Sequence, residues 1–537
     1  MTQSAARRDL GTHEVLNQPV PRGARDLWAM DVALRDAVTV HGGRVKDVAQ
    51  AGAAYGTAEM LHAADEARRD PPRLILFNRA GERLDEVAFN AGYHSCLGTG
   101  VTQGYAASAW HGAGGHVTHA AHAYMLGQIE PGVCCPLTMS YAAVPALRAN
   151  PALQQIWAPR LTAGVYDPST RPVDQKQGVT LGMAMTEKQG GSDVRANTTR
   201  AVRDGDAYRL TGHKWFCSAP MSDGFLTLAQ APDGLTCFLV PRWLEGTRNG
   251  LHLQRLKSKL GNHANASSEI EYVNALAYPV GDEGDGVRTI IEMVHHTRLD
   301  TALAPAGLMR AALAEAKWWA EGRSAFQRRL IDQPLMRSVL ADLALDWEAA
   351  VAIGFLMARA FDGDDPQDRA LARIGVALAK FLNNKRCITV TAEAMEVLGG
   401  MGYIEETPMP MLYREAPLNG IWEGSGNVIC LDILRTLARD PAAGAALDAV
   451  LEDARGQDAG FDHALQAHRT RWPRLCDEGE SRWFAESLAQ LLTAAALFQT
   501  APHPVVEGYI QTRLSGHRGN VPGAVGGLDQ EGILGRI

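Results

Sequence analysis

A mainly α-helical chain with a β domain in its middle is what this sequence predicts, on three observations. Apolar residues recur at helical spacing beyond residue 285. Between about 176 and 285, short segments bounded by Gly, Pro and Asp replace that pattern. Both ends are rich in Ala and Leu. Periodicity is the primary signal for element type, and the 537 residues leave room for several domains at ~100–200 residues each.

In order, residues 1–175 read as an N-terminal helical domain, broken at Asp70-Pro71-Pro72 because a residue before Pro leaves the helical region. Residues 176–285 read as a middle β domain. Tyr208–Phe216, Asp223–Gln230 and Leu235–Val240 are strand-like, and Glu269-Ile270-Glu271-Tyr272 alternates charged with apolar, giving one buried and one wet face. Residues 286–440 read as a helix bundle: Val287, Ile290, Ile291 and Val294 share a stripe, and Leu335, Val339, Leu343 and Trp347 fall on one helix face. After Asp440-Pro441, residues 441–537 read as an additional C-terminal helical domain with a Gly-rich end.

Composition narrows the function classes. Hydrophobic residues at 46% and charged residues at 21% exclude disorder as the main state. The 52 Lys+Arg against 60 Asp+Glu give a formal −8, so attraction of the whole protein to nucleic acid or anionic membrane is excluded, and any such contact needs a local basic patch. Eight thinly spread cysteines with no C-x-x-C pattern read as reduced thiols. With no run of ~18 apolar residues and no signal-like N-terminus, the expectation is a soluble cytoplasmic chain without a membrane partner. There is no G-x-x-x-x-G-K-[ST], no strand-linked G-x-G-x-x-G (Gly98 and Gly100 are followed by Gln103) and no H-E-x-x-H; the 17 histidines show no ligand spacing and no metal is expected.

Five segments can carry chemistry. Met185-Thr186-Glu187-Lys188-Gln189-Gly190-Gly191-Ser192-Asp193 offers close backbone approach and two hydroxyls, suited to a flat polar-edged heterocycle with a phosphate; on local chemistry alone a solvated turn with an Asx or Ser cap is the stronger reading. Trp215-Phe216-Cys217-Ser218 ends a strand with two aromatics that can cover a ring, or simply pack. Tyr413–Asn427 is an irregular Gly- and Pro-marked loop, and Val428–Arg435 reads as a helix with Asn427 near its start, where free amides favour anions. Glu423 stands just ahead of that helix beside Trp422. An apolar setting raises a carboxyl pKa and a helix start lowers it, so Glu423 reads as a poised general base or as a dipole partner. Ala394–Tyr403 is a helix stopped by glycines, and Arg323-Ser-Ala-Phe326 is a turn whose Arg could pair a phosphate.

Taken together and in this order, the segments resemble the acyl-CoA dehydrogenase superfamily. Its M-T-E-x-x-x-G-S-D stretch matches Met185–Asp193 and its W-I-[ST] strand end matches Trp215–Ser218. Its R-x-x-F-G matches Arg323 and Phe326, with Gln327 at the usual Gly. Its Q-x-x-G-G-x-G-Y matches Gly399–Tyr403, with Glu396 at the usual Gln, and its Y-R-x-x-x-x-x-x-I-[YW]-E-G-[TS] matches Tyr413–Ser425. Asn17-Gln18-Pro19-Val-Pro21, Asp70-Pro71-Pro72, Cys135–Ser140, Thr186–Asp193 and Lys259–Ser267 are similar to the AidB-like branch, as is the extra C-terminal segment.

The resemblance implies a helical domain, a β-barrel-like domain and a helix bundle gripping FAD, commonly across subunits of a homotetramer. It implies FAD contacts at Met183, Ala184, Met185, Thr186, Gly190, Gly191 and Ser192; at Phe216, Cys217 and Ser218; at Arg323 and Gly400; and at Ile421, Trp422, Gly424, Ser425, Asn427 and Leu431. Glu423 matches the catalytic carboxylate that removes the acyl-CoA α-proton while the β-hydrogen leaves as hydride to the flavin. A conventional dehydrogenase of short or branched acyl-CoA is the alternative. The branch also implies double-stranded DNA as a partner in protection from alkylation damage, with Arg435 and Arg513 as the contacts and Arg518 nearby. Against this, residues 440–537 hold 8 Arg and no Lys against 13 acidic residues, a formal −5, so only a focused cluster could neutralise phosphates.

Overall fold

The structure, a computed structural model, describes residues 6–537. The N-terminal part packs helices α1 (Val32–Val40), α2 (Val45–Tyr55), α3 (Ala58–Arg69), α4 (Ala91–Thr102), α5 (Gly115–Leu126), α6 (Pro131–Leu147) and α7 (Pro151–Leu161). Side-chain caps fix several starts: Asp31, Thr57 and Asn90 each accept the backbone N–H three residues on. The Asp70-Pro71-Pro72 break leads into a hairpin, β1 (Arg73–Phe77) and β2 (Arg83–Ala88), an element the helical reading of this region lacked.

The middle part holds β3 (Leu181–Ala184), β4 (Arg200–Asp204), β5 (Ala207–Ser218), β6 (Gly224–Ala231), β7 (Gly234–Pro241), the two-residue strands β8 (Trp243–Leu244) and β9 (Thr247–Arg248), β10 (Leu251–Leu256) and β11 (Ser267–Pro279). Strands β11, β5, β4, β6 and β7 pair in a closed ring, with β10 added on β11 and β3 running parallel to β6. Closure leaves few free edges for strand-to-strand association. In the 269–272 stretch Ile270 and Tyr272 are buried and Glu271 is exposed as the alternation requires; Glu269 is buried because Arg255 and Lys257 pair with it at 2.5 and 2.6 Å.

Three long helices follow: α8 (Gly286–Gly322), α9 (Pro334–Asp362) and α10 (Pro366–Val397). Between α8 and α9 lies a hairpin of β12 (Ser324–Ala325) and β13 (Arg328–Arg329). Its turn residues Phe326 and Gln327 both have positive φ, 51° and 65°, the conformation that makes Gly usual at 327. The predicted stripe on α9 is buried from Leu343, half-buried at Val339, and Leu335 in the first turn is exposed. Helices α11 (Met409–Glu415), α12 (Gly426–Arg439), α13 (Pro441–Asp453), α14 (Ala459–Arg471), α15 (Ser481–Thr500), α16 (His503–Tyr509) and α17 (Gln530–Leu534) complete the chain. Helix α15 packs on both α9 and α10, so the C-terminal helices share one continuous apolar core with the bundle and the N-terminal helices. A second core joins α6 and α7 to the sheet through Tyr141, Trp157, Leu181, Leu226 and Leu239. It is at this seam between sheet and bundle that the loops of interest meet.

Candidate functional site

The 185–193 loop leaves β3 and is stapled by Glu187, which is wholly buried. Its carboxylate accepts from Thr198 N (2.7 Å), Thr199 N (3.1 Å), Thr199 Oγ1 (2.6 Å) and Lys214 Nζ (2.9 Å). Burial opposes the charge, but these donors and Lys214 hold the carboxyl far below the usual range. The loop therefore stands in one shape: Trp215 N–H donates to Thr186 O at 2.7 Å, tying it to the end of β5. Gly191 has to be glycine here, since an added Cβ would come within 2.3 Å of Thr186 Oγ1. Gly190, with φ 142°, and Ser192 are exposed.

At the end of β5, Phe216 is half exposed, Cys217 is buried and Ser218 lies 3.2 Å from Ser267 Oγ on β11. Cys135 on α6 sits beside Asn265 and Ser218 and within the field of Glu423; burial pushes its thiol up to about 11. Ser218 and Glu423 thus both lie near Cys135. Asn265, 1% exposed, has neither its amide oxygen nor its amide nitrogen hydrogen-bonded. A buried amide of this kind, beside the Cys135 thiol, keeps hydrogen-bonding capacity for a polar neighbour. On the same seam Met183, Met185 and Trp422 pack half-buried against the core that contains Met139 and Tyr141.

Glu423 itself has φ 56°, a left-handed conformation that costs about 1–3 kcal/mol for a non-Gly residue and needs its surroundings to hold it. Three side chains do so. Lys380 on α10 donates to Asn419 O (2.9 Å) and Gly424 O (2.8 Å), Arg298 on α8 donates to Glu423 O (3.3 Å), and Thr297 Oγ1 donates to Glu423 Oε2 (2.7 Å). Arg298 is in turn fixed by Asp432 of α12 at 2.7 Å, which Arg373 also grips at 2.9 Å. Trp422 is oriented by an indole N–H bond to Asn419 Oδ1 at 2.8 Å. Burial raises the Glu423 carboxyl above its ordinary value, while the Thr297 bond and the Lys380 and Arg298 charges pull it back. Burial also pushes Lys380 down to about 7. Among the described residues Oε2 has a hydrogen-bond partner and Oε1 has none.

Helix α12 begins at Gly426 with Ser425 as its N-cap, and Ser425 makes no side-chain capping bond, so the first-turn amides stay open. Asn427 lies within that first turn and accepts from Arg482 of α15 at 2.9 Å. Leu431 is half-buried on the same helix and Ile421 is exposed.

The structure brings together Met183, Ala184, Met185, Thr186 and Phe216–Ser218, and sets Trp422, Glu423 and Gly424 across the seam from them. It does not bring Arg323 or Gly400 to this place. Arg323 follows α8 some 26 residues beyond Thr297, roughly 39 Å at 1.5 Å per residue, and Gly400 lies roughly 30 Å past Lys380. Arg323 instead donates to Asn17 O at 2.8 Å and stacks by Trp319. Arg435 is exposed on α12. Arg513 corrects the expectation of a phosphate contact: it is 6% exposed and its guanidinium is taken by Asp342 (2.5 Å) and Asp346 (2.9 Å) of α9. Arg518 joins the same pair through Asp342 at 3.3 Å. Thr297, Arg298 and Lys380 were not singled out in the sequence. For Lys380 a signal existed, a lysine inside the apolar run Val376–Leu382. Among the described residues no group of three His, Cys, Asp or Glu is set to hold a metal, and no helix is long and apolar enough to cross a membrane.

Comparison with known proteins agrees with this geometry. Residues 17–168 match the adaptive response protein AidB N-terminal domain, residues 182–275 the acyl-CoA dehydrogenase middle domain and residues 284–438 the acyl-CoA dehydrogenase C-terminal domain. The chain is 43% identical to AidB of Escherichia coli (strain K12) over 94% of either protein. Acyl-CoA dehydrogenase family member 11 of Caenorhabditis elegans is 32% identical over 71% of this chain and 65% of its own length. Among solved structures, Bd2924 in its apo form superposes with TM-score 0.82 at 27% identity, covering 91% of this chain and all of the other. Caenorhabditis elegans ACDH-11 in complex with C11-CoA superposes with TM-score 0.82 at 24% identity, covering 98% and 97%. The chain therefore belongs to the acyl-CoA dehydrogenase family, in the branch marked by the AidB N-terminal domain.

Proposed function

We propose that the chain is an FAD-dependent oxidoreductase of acyl thioesters in which Glu423 takes the α-proton. The observation that carries this is the Glu423 geometry: a strained backbone pinned by Lys380 and Arg298, a carboxyl raised by burial, and one carboxylate oxygen with no hydrogen-bond partner among the described residues. The residues fit FAD. Asn265 offers a buried amide to a polar ring edge, Gly191 lets the Thr186 side chain keep its place in the loop, Met183, Met185 and Trp422 supply an apolar wall, and the first turn of α12 suits a phosphate. When bound, FAD supplies the acceptor for the β-hydrogen as hydride.

This chain's own residues do the rest. Glu423 Oε1 receives the α-proton, and its raised pKa makes the carboxylate basic enough to take it. Thr297 keeps the other oxygen occupied, so one lone pair is aimed. Lys380 holds the backbone on either side, which spares the base any reorganisation as the proton moves. The C11-CoA complex of the Caenorhabditis elegans relative supports a CoA thioester as ligand class. Arg323 and Gly400, remote from Glu423, then serve the FAD of a neighbouring subunit in a homotetramer. The duplex-DNA role keeps one of its two expected contacts, Arg435, and no observation in the structure favours it over the dehydrogenase reading. The test is anaerobic titration of the purified yellow protein with a panel of acyl-CoAs: bleaching of the flavin by one or more supports the reading, and a flavin-free protein, or a flavin inert to the whole panel, contradicts it.

A further inference from the structure

Away from Glu423, three arginines carry more charge than their neighbours answer. Arg22 has one carboxylate, Glu315, at 3.4 Å. Arg25 has none within bonding distance and donates only to Gly23 O at 3.2 Å. Arg310, 5% exposed, gives Nε to Asp31 at 3.0 Å and Nη2 to Met30 O at 2.7 Å, but its Nη1 is buried with no partner. Asp31 is already shared with Tyr124 OH at 2.7 Å and with the first turn of α1. Three guanidiniums therefore stand against two carboxylates. Burial and the charge of Arg22 push Arg25 down to about 10, and burial lowers Arg22 as well.

The arginines line space. Arg22, Arg25 and Arg310 border a cavity of about 20 Å³ with Gln128, and Arg22 and Arg25 also form one end of a cleft of about 890 Å³. The other arginines of that cleft are committed: Arg68 to Glu130, Arg69 to Asp65, Arg414 to Glu405. No residue of the 183–192, 216–218 or 419–431 segments lines either space. The backbone that bears Arg25 is clamped on α2, with Arg25 N donating to Gly56 O at 2.8 Å and Leu27 N to Gly52 O at 3.2 Å. A Cβ at Gly56 would meet Arg25 O at 1.6 Å, so the approach depends on glycine. The backbone that carries Arg25 is thus fixed before any ligand arrives.

We propose that this end of the cleft is a phosphoryl-oxyanion site, in which Arg22 and Arg25 grip a phosphate and Arg310 Nη1 closes on one of its oxygens. Planar forks on two sides and a buried third donor match a tetrahedral dianion, whose double charge answers three guanidiniums more fully than the single charge of a carboxylate. The small cavity admits one oxygen-sized atom, and the body of a phosphate ester lies in the larger cleft. Arg323 and Gly400 do not line the cleft, although Trp319 and Met401 beside them do, and dependence on Arg25 separates this site from the flavin.

The experiment is calorimetric titration of the purified full-length protein, in low-salt buffer, with inorganic phosphate, AMP and acetate, repeated on Arg25→Gln. Saturable phosphate binding, weakened roughly tenfold or more by Arg25→Gln at unchanged Tm, is the expected result. AMP tighter than phosphate assigns an ester, and phosphate as tight as AMP assigns the free anion. Absence of saturable phosphate binding below roughly 10 mM, equal binding of acetate, or an affinity untouched in a folded Arg25→Gln overturns the proposal. If Arg25→Gln fails to fold, Arg22→Gln is the second variant, and the wild-type comparison of phosphate with acetate stands without either.

Discussion

Thr297→Val removes the one hydrogen bond to the Glu423 carboxylate while keeping a β-branched side chain of similar volume on α8. The Thr297 hydroxyl has a single proton, which it gives to Oε2 at 2.7 Å, the nearer acceptor, with Val294 O of the same helix at 3.0 Å as the competing one. A hydrogen bond to a charged group contributes about 1.5–3 kcal/mol, and 1.36 kcal/mol corresponds to one pKa unit. Since the bond stabilises the carboxylate, losing it moves the Glu423 pKa further up by about 1–2 units. The base then stays protonated to higher pH. The assay is the limiting rate of flavin reduction by an acyl-CoA, followed by anaerobic rapid mixing across pH. The acid limb of the profile shifts upward by about that amount, and the rate recovers at high pH because the base is intact. A purely structural role for Thr297 would lower the rate evenly across pH. An acid limb at the wild-type position refutes the assignment of Thr297 as the group that tunes Glu423.

Other variants follow from the same contacts. Gly191→Ala drives Thr186 from its place and weakens flavin retention by about 1–3 kcal/mol, measured as the flavin dissociation constant; unchanged retention separates this loop from the cofactor. Arg513→Ala leaves Asp342 and Asp346 buried without their cation and lowers stability by about 3–5 kcal/mol in denaturant unfolding, whereas an exposed phosphate contact would cost almost nothing. Asp346 is held below its usual range by Arg513 despite burial, so its contribution to stability is present above its unfolded pKa and is lost as pH falls through the folded one. Acid unfolding that is steeper in wild type than in Arg513→Ala checks that sign. Arg435→Ala leaves the fold intact, and duplex binding whose affinity and salt slope do not change on that substitution removes Arg435 as a phosphate contact.

What could be read from the sequence was whatever lies within a few residues along the chain. The Gly190-Gly191 loop, the aromatic strand end at Trp215 and the turn before α12 each announce themselves by residues that ordinary helices and strands avoid. The switch of periodicity near 285 is equally local. The support of Glu423 was not readable, because Thr297 and Lys380 lie 126 and 43 positions away on different helices and only tertiary packing delivers them. Arg513 shows the converse. In a segment of net negative charge it looks like any solvated arginine, yet Asp342 and Asp346 present two carboxylates one turn apart on α9 and draw it inside. Charge counting carries no depth. The hairpin β1–β2 was missed for a third reason: it is two short strands packed against β10 of the middle part, too brief to disturb the overall pattern.

The central claim is that Glu423 is the base. It is tested most directly by loading wild-type protein and Glu423→Gln with equal FAD and measuring anaerobic flavin reduction by the best acyl-CoA of the panel. Retained FAD with a rate lowered by about 10²-fold or more is the predicted result; reduction of Glu423→Gln at the wild-type rate contradicts it.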